Sequence, residues 1–506
     1  MNMVSVKKVL ASLRKIENEL RILGSISSLL QWDQQTLMPK AAIAQRQEHL
    51  AYVSKQMHLK VTSKEMQRII SFLSKNKKRL SFHDQLIVKK YRKELRKLRR
   101  IPVEHVEAFA RLVGKSSAEW ERARKENKFS IFAPYLKRII QMRLKEARLI
   151  DRSKHPYDVL LDEYEEGTTI KDLERVFGKL KQGLRKVLKK VRSAKKKDVS
   201  VINISENEQK EMVRDIVNLI VPEEQRRVVA ESVHPFTTEI SADDVRLTTA
   251  YRKGKPLFAI EAAAHEAGHA LYELSIPLTL RKSILGSGAS TGIHESQSRL
   301  WENHVFKSRE FWQGMLVRWR KKHQSVRKGG GDDWYQRVNR VQPSLVRIEA
   351  DEVTYNLHVI IRYEIEREIC EGKIRIEEIP KVWNKKYKEY LGVSPRNDVE
   401  GVLQDVHWAW GSFGYFPMYT LGNIYAAMLW KQLLKECKGV KGEIRKGNVS
   451  TVRTWLQKKV HAHGATLTAK ELIKRVCKKG VDAEDFVEYI NEKYGSLYKI
   501  KESGRA

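Results

Sequence analysis

The chain is poor in proline, with 12 residues in 506, and poorer in cysteine, with three. Its length would accommodate about three domains of average size. Yet no Gly/Ser/Pro-rich linker divides it, which argues for one large unit. Cys370, Cys437 and Cys477 are scattered, odd in number and without metal-ligand spacing. They exclude a disulfide framework and point to a reducing, cytoplasmic setting. The glycosylation-type triplets at Asn203 and Asn448 are then chance matches. No apolar run reaches the roughly 18 residues of a membrane helix. The charged opening, with Lys7, Lys8, Arg14, Lys15 and Glu17, also lacks the apolar stretch of a signal peptide. Missing too is any recognised nucleic-acid motif, and aromatics do not interleave the basic stretches.

What is abundant is positive charge. The net charge of +35 favours contact with anionic polymers or surfaces. Two dense runs carry much of it. Residues 75–100 repeat Tyr91, Leu95 and Leu98 at helical spacing, and residues 181–197 repeat Leu184, Val187 and Val191. In each, one face packs and the rest is solvated, so nucleic acid is not an expected partner. Hydrophobic residues make up 41%, enough to fill a substantial core.

The chain is organised around His265-Glu266-Ala267-Gly268-His269, the pattern H-E-x-x-H. Pro256 can open a helix here and Pro277 can close it. Positions four apart share a helix face, so His265 and His269 point the same way. Two neutral imidazoles supply half of a tetrahedral zinc site, and cobalt would accept the same donors. Glu266 beside them is placed to take a proton from a water that the metal has acidified. Ala264, Ala267 and Gly268 are small enough to let another element approach closely.

A third ligand must come from elsewhere. The metzincin continuation needs a Gly and a third His just past the motif, and Tyr272 and Ser275 stand there instead. A glycine-rich stretch, residues 286–292, leads into His294-Glu295-Ser296-Gln297, and Glu295 lies where the chain leaves that loop. Two His and one Glu leave the open fourth position of a catalytic zinc. Glu273, Glu302 and His294 remain rivals for the third place.

Just before the motif the texture changes. Residues 236–240 and 245–251 are rich in β-branched side chains and flank the turn Ser241-Ala242-Asp243-Asp244, which predicts a hairpin. An edge strand beside a metal cleft can bind an extended peptide through its backbone. His234 and Arg246 are candidates for lining that groove. A pair between Arg246 and Asp243 or Asp244 is the simpler alternative. Residues 301–319 read as a helical, aromatic piece of core. Residues 404–419 combine aromatics and glycines with His407, Tyr415 and Tyr419, donors able to stabilise the oxyanion of a tetrahedral intermediate.

Six short motifs occur in an order that resembles the M32 family of metallocarboxypeptidases. They are His234-Pro235-Phe236, Asp244-Val245-Arg246-Leu247-Thr248, the H-E-x-x-H helix, His294-Glu295-Ser296-Gln297, Val346-Arg347-Ile348-Glu349-Ala350-Asp351, and Gly401-Val402-Leu403-Gln404-Asp405-Val406-His407-Trp408. The fifth departs at Val346, where the family usually has Ile or Asn, and keeps Arg347 and Asp351. Residues 30–39 and 155–167 resemble two further family signatures, so the likeness covers almost the whole chain. The first of these would help to wall a substrate groove. A carboxypeptidase must recognise a free carboxylate, which Arg grips bidentately. The resemblance makes Arg347 the first choice for that role, with an ion pair to Asp351 as the alternative. Related helical zinc peptidases stabilise the oxyanion with a His and a Tyr, which favours His407 and Tyr419 among the three donors and leaves Tyr415 a candidate for the substrate site. A broad side-chain preference and a homodimer are implied by the resemblance.

The expectation is a mainly α fold, a large helical metallopeptidase with a deep groove and a small sheet next to the H-E-x-x-H helix. It forms one catalytic unit over residues 1–506. Residues 1–230 are the helical wall of the groove, and residues 231–506 are the half that holds zinc and substrate. Zinc sits on His265, His269 and Glu295, and the substrates are peptides with a free C-terminus. An oligoendopeptidase of the same gluzincin type is the first alternative. A basic nucleic-acid-associated protein is the second.

Overall fold

The computed structural model describes residues 5–194 and 202–500. Lys195, Lys196 and Lys197 of the second basic run lie outside the described residues. Helices dominate because apolar side chains recur every three to four positions along most of the chain. The helix Ile170–Ser193 shows the pattern: Leu173, Phe177, Leu180, Leu184, Val187 and Val191 are among its buried residues. Thr169 and Asp172 form a capping box that satisfies its first N–H groups. In Phe82–Leu98, Ile87, Val88, Tyr91 and Leu95 are buried among the lysines and arginines. Lys93 and Lys97 of this helix reach Asp162 at 3.0 and 2.7 Å, so the acidic stretch that follows His155 neutralises part of the basic half.

Two helices are buried on nearly every side and lie in the interior. They are Glu352–Cys370, with Leu357, Val359, Ile361 and Ile365 fully buried, and Phe416–Glu436, with Ile424, Ala426 and Leu429 buried. Each such Leu or Ile contributes about 1.5–3 kcal/mol relative to an exposed one. The expected core of residues 301–319 is buried, with Trp301, Trp312 and Trp319 at 0% exposure. It is not one helix. Leu300–Phe306 is a π-helical segment that continues the preceding helix, and Arg309–Lys322 follows after a break. No helix among the described residues is long and apolar enough to cross a membrane.

The expected hairpin forms from β2 (Thr237–Ser241) and β3 (Asp244–Thr249), antiparallel with Thr238 opposite Arg246. A third strand, β1 (Arg227–Glu231), pairs parallel to β3 on its other side, which corrects the two-stranded expectation. Its five residues carry no turn signal of their own, and pairing with β3 creates the strand. Val245 and Leu247 of β3 are buried, and Thr249 Oγ1 donates to the Ala259 carbonyl at 2.8 Å, which ties the sheet to the H-E-x-x-H helix. Trp32 of the helix Val6–Thr36 is buried 5.4 Å from Phe236, joining the first helix to the hairpin. Both halves of the chain line one groove of about 2910 Å³, from Gln31 and Gln34 through Thr237 and His265 to Tyr419.

Candidate metal and peptide site

The H-E-x-x-H helix runs Phe258–Ser275, just inside Pro256 and Pro277. Its small residues serve the close approach that their size suggests. A Cβ on Gly268 would lie 2.7 Å from the Gln297 carbonyl oxygen and 2.7 Å from Ser298 Cα of the crossing helix Thr291–Arg299. That crossing brings Glu295 opposite His265 and His269. Glu295 Oε2 is 3.8 Å from His265 Nε2 and 3.5 Å from His269 Nε2. One donor atom from each of the three residues lies within 4.8 Å of the others. Donors about 2.0–2.2 Å from a tetrahedral zinc stand about 3.3–3.6 Å apart, so the set fits one divalent ion after small adjustments. Gly268→Ala is expected to weaken metal binding about tenfold or more, because the added methyl meets backbone and overpacking of this kind costs about 1–3 kcal/mol. Competition with a chromophoric chelator measures it.

The three rivals stand behind the ligands. Glu302 Oε2 is 2.8 Å from His265 Nδ1. His294 Nδ1 is 2.6 Å from His269 Nδ1, and His294 Nε2 is 2.6 Å from Glu273 Oε1. Each carboxylate thus anchors the far ring nitrogen of a ligand histidine, Glu302 directly and Glu273 through His294, and both Nε2 atoms face Glu295. This is how outer partners commonly orient metal-binding histidines. Glu295 Oε1 accepts from Arg299 Nε at 2.7 Å, which leaves Oε2 for the cluster. Arg299 belongs to no sequence motif singled out above, although its place four residues after Glu295 marks it as a helix-face partner.

Electrostatics separate the acids by role. Burial would raise the Glu295 pKa, but Arg299 and His265 bring it down to about 2, so it is an anion at neutral pH. Burial pushes His269 down to about 4. Burial acts the same way on His265, but Glu295 and Glu302 outweigh it and raise the pKa. Glu266 is raised by burial, which suits a proton acceptor. Its Oε2 accepts from Thr237 Oγ1 at 2.7 Å. In the sequence, only its place beside His234-Pro235-Phe236 sets Thr237 apart.

Arg347 is buried and lines the same groove. It does not pair with Asp351, whose Oδ1 instead accepts from Val353 N and Thr354 N at 3.0 Å and caps the helix Glu352–Cys370. Its partner is Asp405, with Nε and Nη2 at 3.1 and 2.8 Å from Oδ1, and Nη1 lies 3.1 Å from the Tyr355 hydroxyl. Arg362 Nε holds the other oxygen of Asp405 at 2.6 Å. Despite burial, the two guanidinium groups hold the Asp405 carboxyl well below the usual range. His407 Nε2 lies 3.1 Å from the Tyr419 hydroxyl, and burial lowers the His407 pKa to about 3, so the ring is neutral. Tyr415 packs against both, with ring centroids 5.5 Å from His407 and 5.3 Å from Tyr419.

His234 is exposed at the groove, beside Phe236 and Thr237. Arg246 is not among the lining residues. Its guanidinium is forked onto Asp244 at 2.8 and 2.7 Å and lies 5.7 Å from the centre of the Trp32 ring, while Asp243 binds Arg226. The ion pair with Asp244 is therefore what forms, and Arg246 braces the hairpin.

The model of the Carboxypeptidase Taq (M32) metallopeptidase family matches residues 12–494. The chain belongs to the M32 family. It is similar to Carboxypeptidase 1 of Bacillus subtilis (strain 168), with 35% identity over 94% of this chain and 95% of that one. Thermostable carboxypeptidase 1 of Thermus thermophilus is 33% identical over 96% and 98% of the two chains. The crystal structure of the M32 carboxypeptidase from Deinococcus radiodurans R1 aligns with a TM-score of 0.92 at 33% identity, covering 97% and 100%. The expected mainly α fold is thus the M32 fold. This M32 chain is a metallocarboxypeptidase, a peptide hydrolase that uses a divalent metal. Among the described residues, His265, His269 and Glu295 are the group able to hold one.

Proposed function

We propose that the protein is a zinc-dependent carboxypeptidase that removes single residues from the free C-termini of peptides, with broad side-chain preference. One observation carries this reading: buried Arg347 lies in the same groove as the His265, His269 and Glu295 donor set. Two imidazoles and one carboxylate suit zinc, and they suit cobalt as well. A cation bound there supplies Lewis acidity and lowers the pKa of water. The other steps belong to side chains and backbone of the chain. Thr237 and Thr238 of edge strand β2 border the groove and offer backbone pairing to an extended peptide. Arg347 grips the terminal carboxylate, and Asp405 and Tyr355 hold its guanidinium in place. Glu266 takes a proton from the attacking water and passes it to the leaving amine. Neutral His407 and Tyr419 donate hydrogen bonds to the carbonyl oxygen as it becomes tetrahedral. His234 and Tyr415 shape the walls around the last residues of the substrate.

A mixed peptide pool tests the reading. Mass spectra should show ladders shortened one residue at a time from the C-terminus, lost with chelator and restored by added zinc. Internal cleavage, or equal cleavage of a peptide acid and its amide, would assign an oligoendopeptidase instead. We also assign a cytoplasmic homodimer. The cysteines, all free, support the compartment, and family resemblance supports the dimer.

A further inference from the structure

The helix that carries Glu295 begins on residues that lie far from it in sequence, Gly292 meeting Glu165 at a separation of 127. The first N–H groups of a helix have no partner within it. In Thr291–Arg299 three of them are satisfied in turn. Thr291 N donates to the Tyr164 carbonyl at 3.1 Å, Gly292 N to Glu165 Oε2 at 3.0 Å, and Ile293 N to Ser290 Oγ at 3.0 Å. Two of the three acceptors thus come from the acidic stretch after His155, to which the sequence assigned no chemistry.

Glu165 is fully buried, at 0% exposure. Its other oxygen accepts from the Tyr425 hydroxyl at 3.0 Å, which fastens it to the interior helix Phe416–Glu436. It is also seated without slack. A Cβ on Gly292 would fall 2.6 Å from Glu165 Oε2 and 3.1 Å from Tyr425 Cε2. An acidic group at this end of a helix is favoured by the helix dipole as well. Glu295 follows Gly292 by three residues, close to one turn, so a rotation or lift of the helix start is transmitted to the ligand carboxylate.

We propose that Glu165 is a positioning residue for the metal site, setting the height and rotation of the Thr291–Arg299 helix so that Glu295 Oε2 meets His265 and His269. It touches neither substrate nor ligand. The half of the chain that walls the groove therefore also governs how tightly the metal is held. The inference rests on the His265, His269 and Glu295 site.

The test measures metal binding, not turnover. Zinc affinity is titrated against a chromophoric chelator, and the visible spectrum of the cobalt-loaded protein reports ligand geometry. Wild type is compared with Glu165→Gln and Glu165→Leu, with the melting temperature of each metal-free protein followed in parallel. Gln keeps an oxygen for Gly292 N and should retain near wild-type affinity and spectrum. Leu removes both acceptors and should weaken zinc binding by about 10–100-fold, the range for losing an outer partner of a metal ligand, and should shift the cobalt bands. A folded Leu variant with wild-type affinity and spectrum overturns the proposal, whatever its melting temperature. Should that variant not fold, Gly292→Ala carries the test, because its methyl displaces the carboxyl while leaving Glu165 itself in place. Unchanged affinity and spectrum there overturn the proposal equally. If wild type itself binds no zinc or cobalt, the metal site is wrong and this inference falls with it, an outcome distinct from a defect confined to the variants.

Discussion

Glu266→Gln is expected to lower kcat/KM by about 10²–10⁴-fold, the usual worth of a general acid–base group, while the protein still binds its metal. Gln keeps the shape and an oxygen for the Thr237 hydroxyl, which lies 2.7 Å from Glu266 Oε2. It loses only the ability to take up and release a proton. Metal content and kcat/KM measured on the same preparation separate the two effects. A variant with full metal and near wild-type turnover would remove Glu266 as the proton carrier. A variant that loses the metal as well would place it in the metal site.

The second large effect is at Arg347. Arg347→Met is expected to reduce kcat/KM on a peptide acid by about 10–100-fold, since hydrogen bonds to charged groups contribute about 1.5–3 kcal/mol each. The same change should leave cleavage of the matching peptide amide nearly unaltered. Breaking a buried ion pair ordinarily costs about 3–5 kcal/mol of stability, because one charge is left without a partner. Here Asp405 keeps Arg362 at 2.6 Å, so the fold should survive the exchange. The acid-to-amide ratio is the decisive quantity. If the variant prefers the acid as strongly as wild type does, the carboxylate is read by another residue, and Arg347 is a structural partner of Asp405 alone.

Much of this site was visible in the order of residues. The spacing of His265 and His269 places them on one helix face whatever surrounds them, and Pro256 and Pro277 frame that helix. The β-branched runs around the turn Ser241-Ala242-Asp243-Asp244 pointed to a hairpin from local sequence alone. β1 was hidden because a five-residue strand acquires its identity from β3, to which it pairs. Arg246 and Arg347 were each credible as groove residues. Each is held by an aspartate, Asp244 two residues away and Asp405 at a separation of 58, and no local pattern points to the second partner.

The pattern of amino acids alone dictated the helices, the pair of imidazoles and the need for one more acidic donor, because these follow from periodicity and from coordination chemistry. Choosing Glu295 over Glu273, Glu302 and His294 was a matter of three-dimensional packing. All four lie on or near the two helices that cross at Gly268, and the depth and angle of that crossing determine which carboxylate faces the histidines and which groups stand behind them. Crossing geometry is settled by contacts distant in sequence, Glu165 against Gly292 among them, and such contacts exist only once the chain is folded.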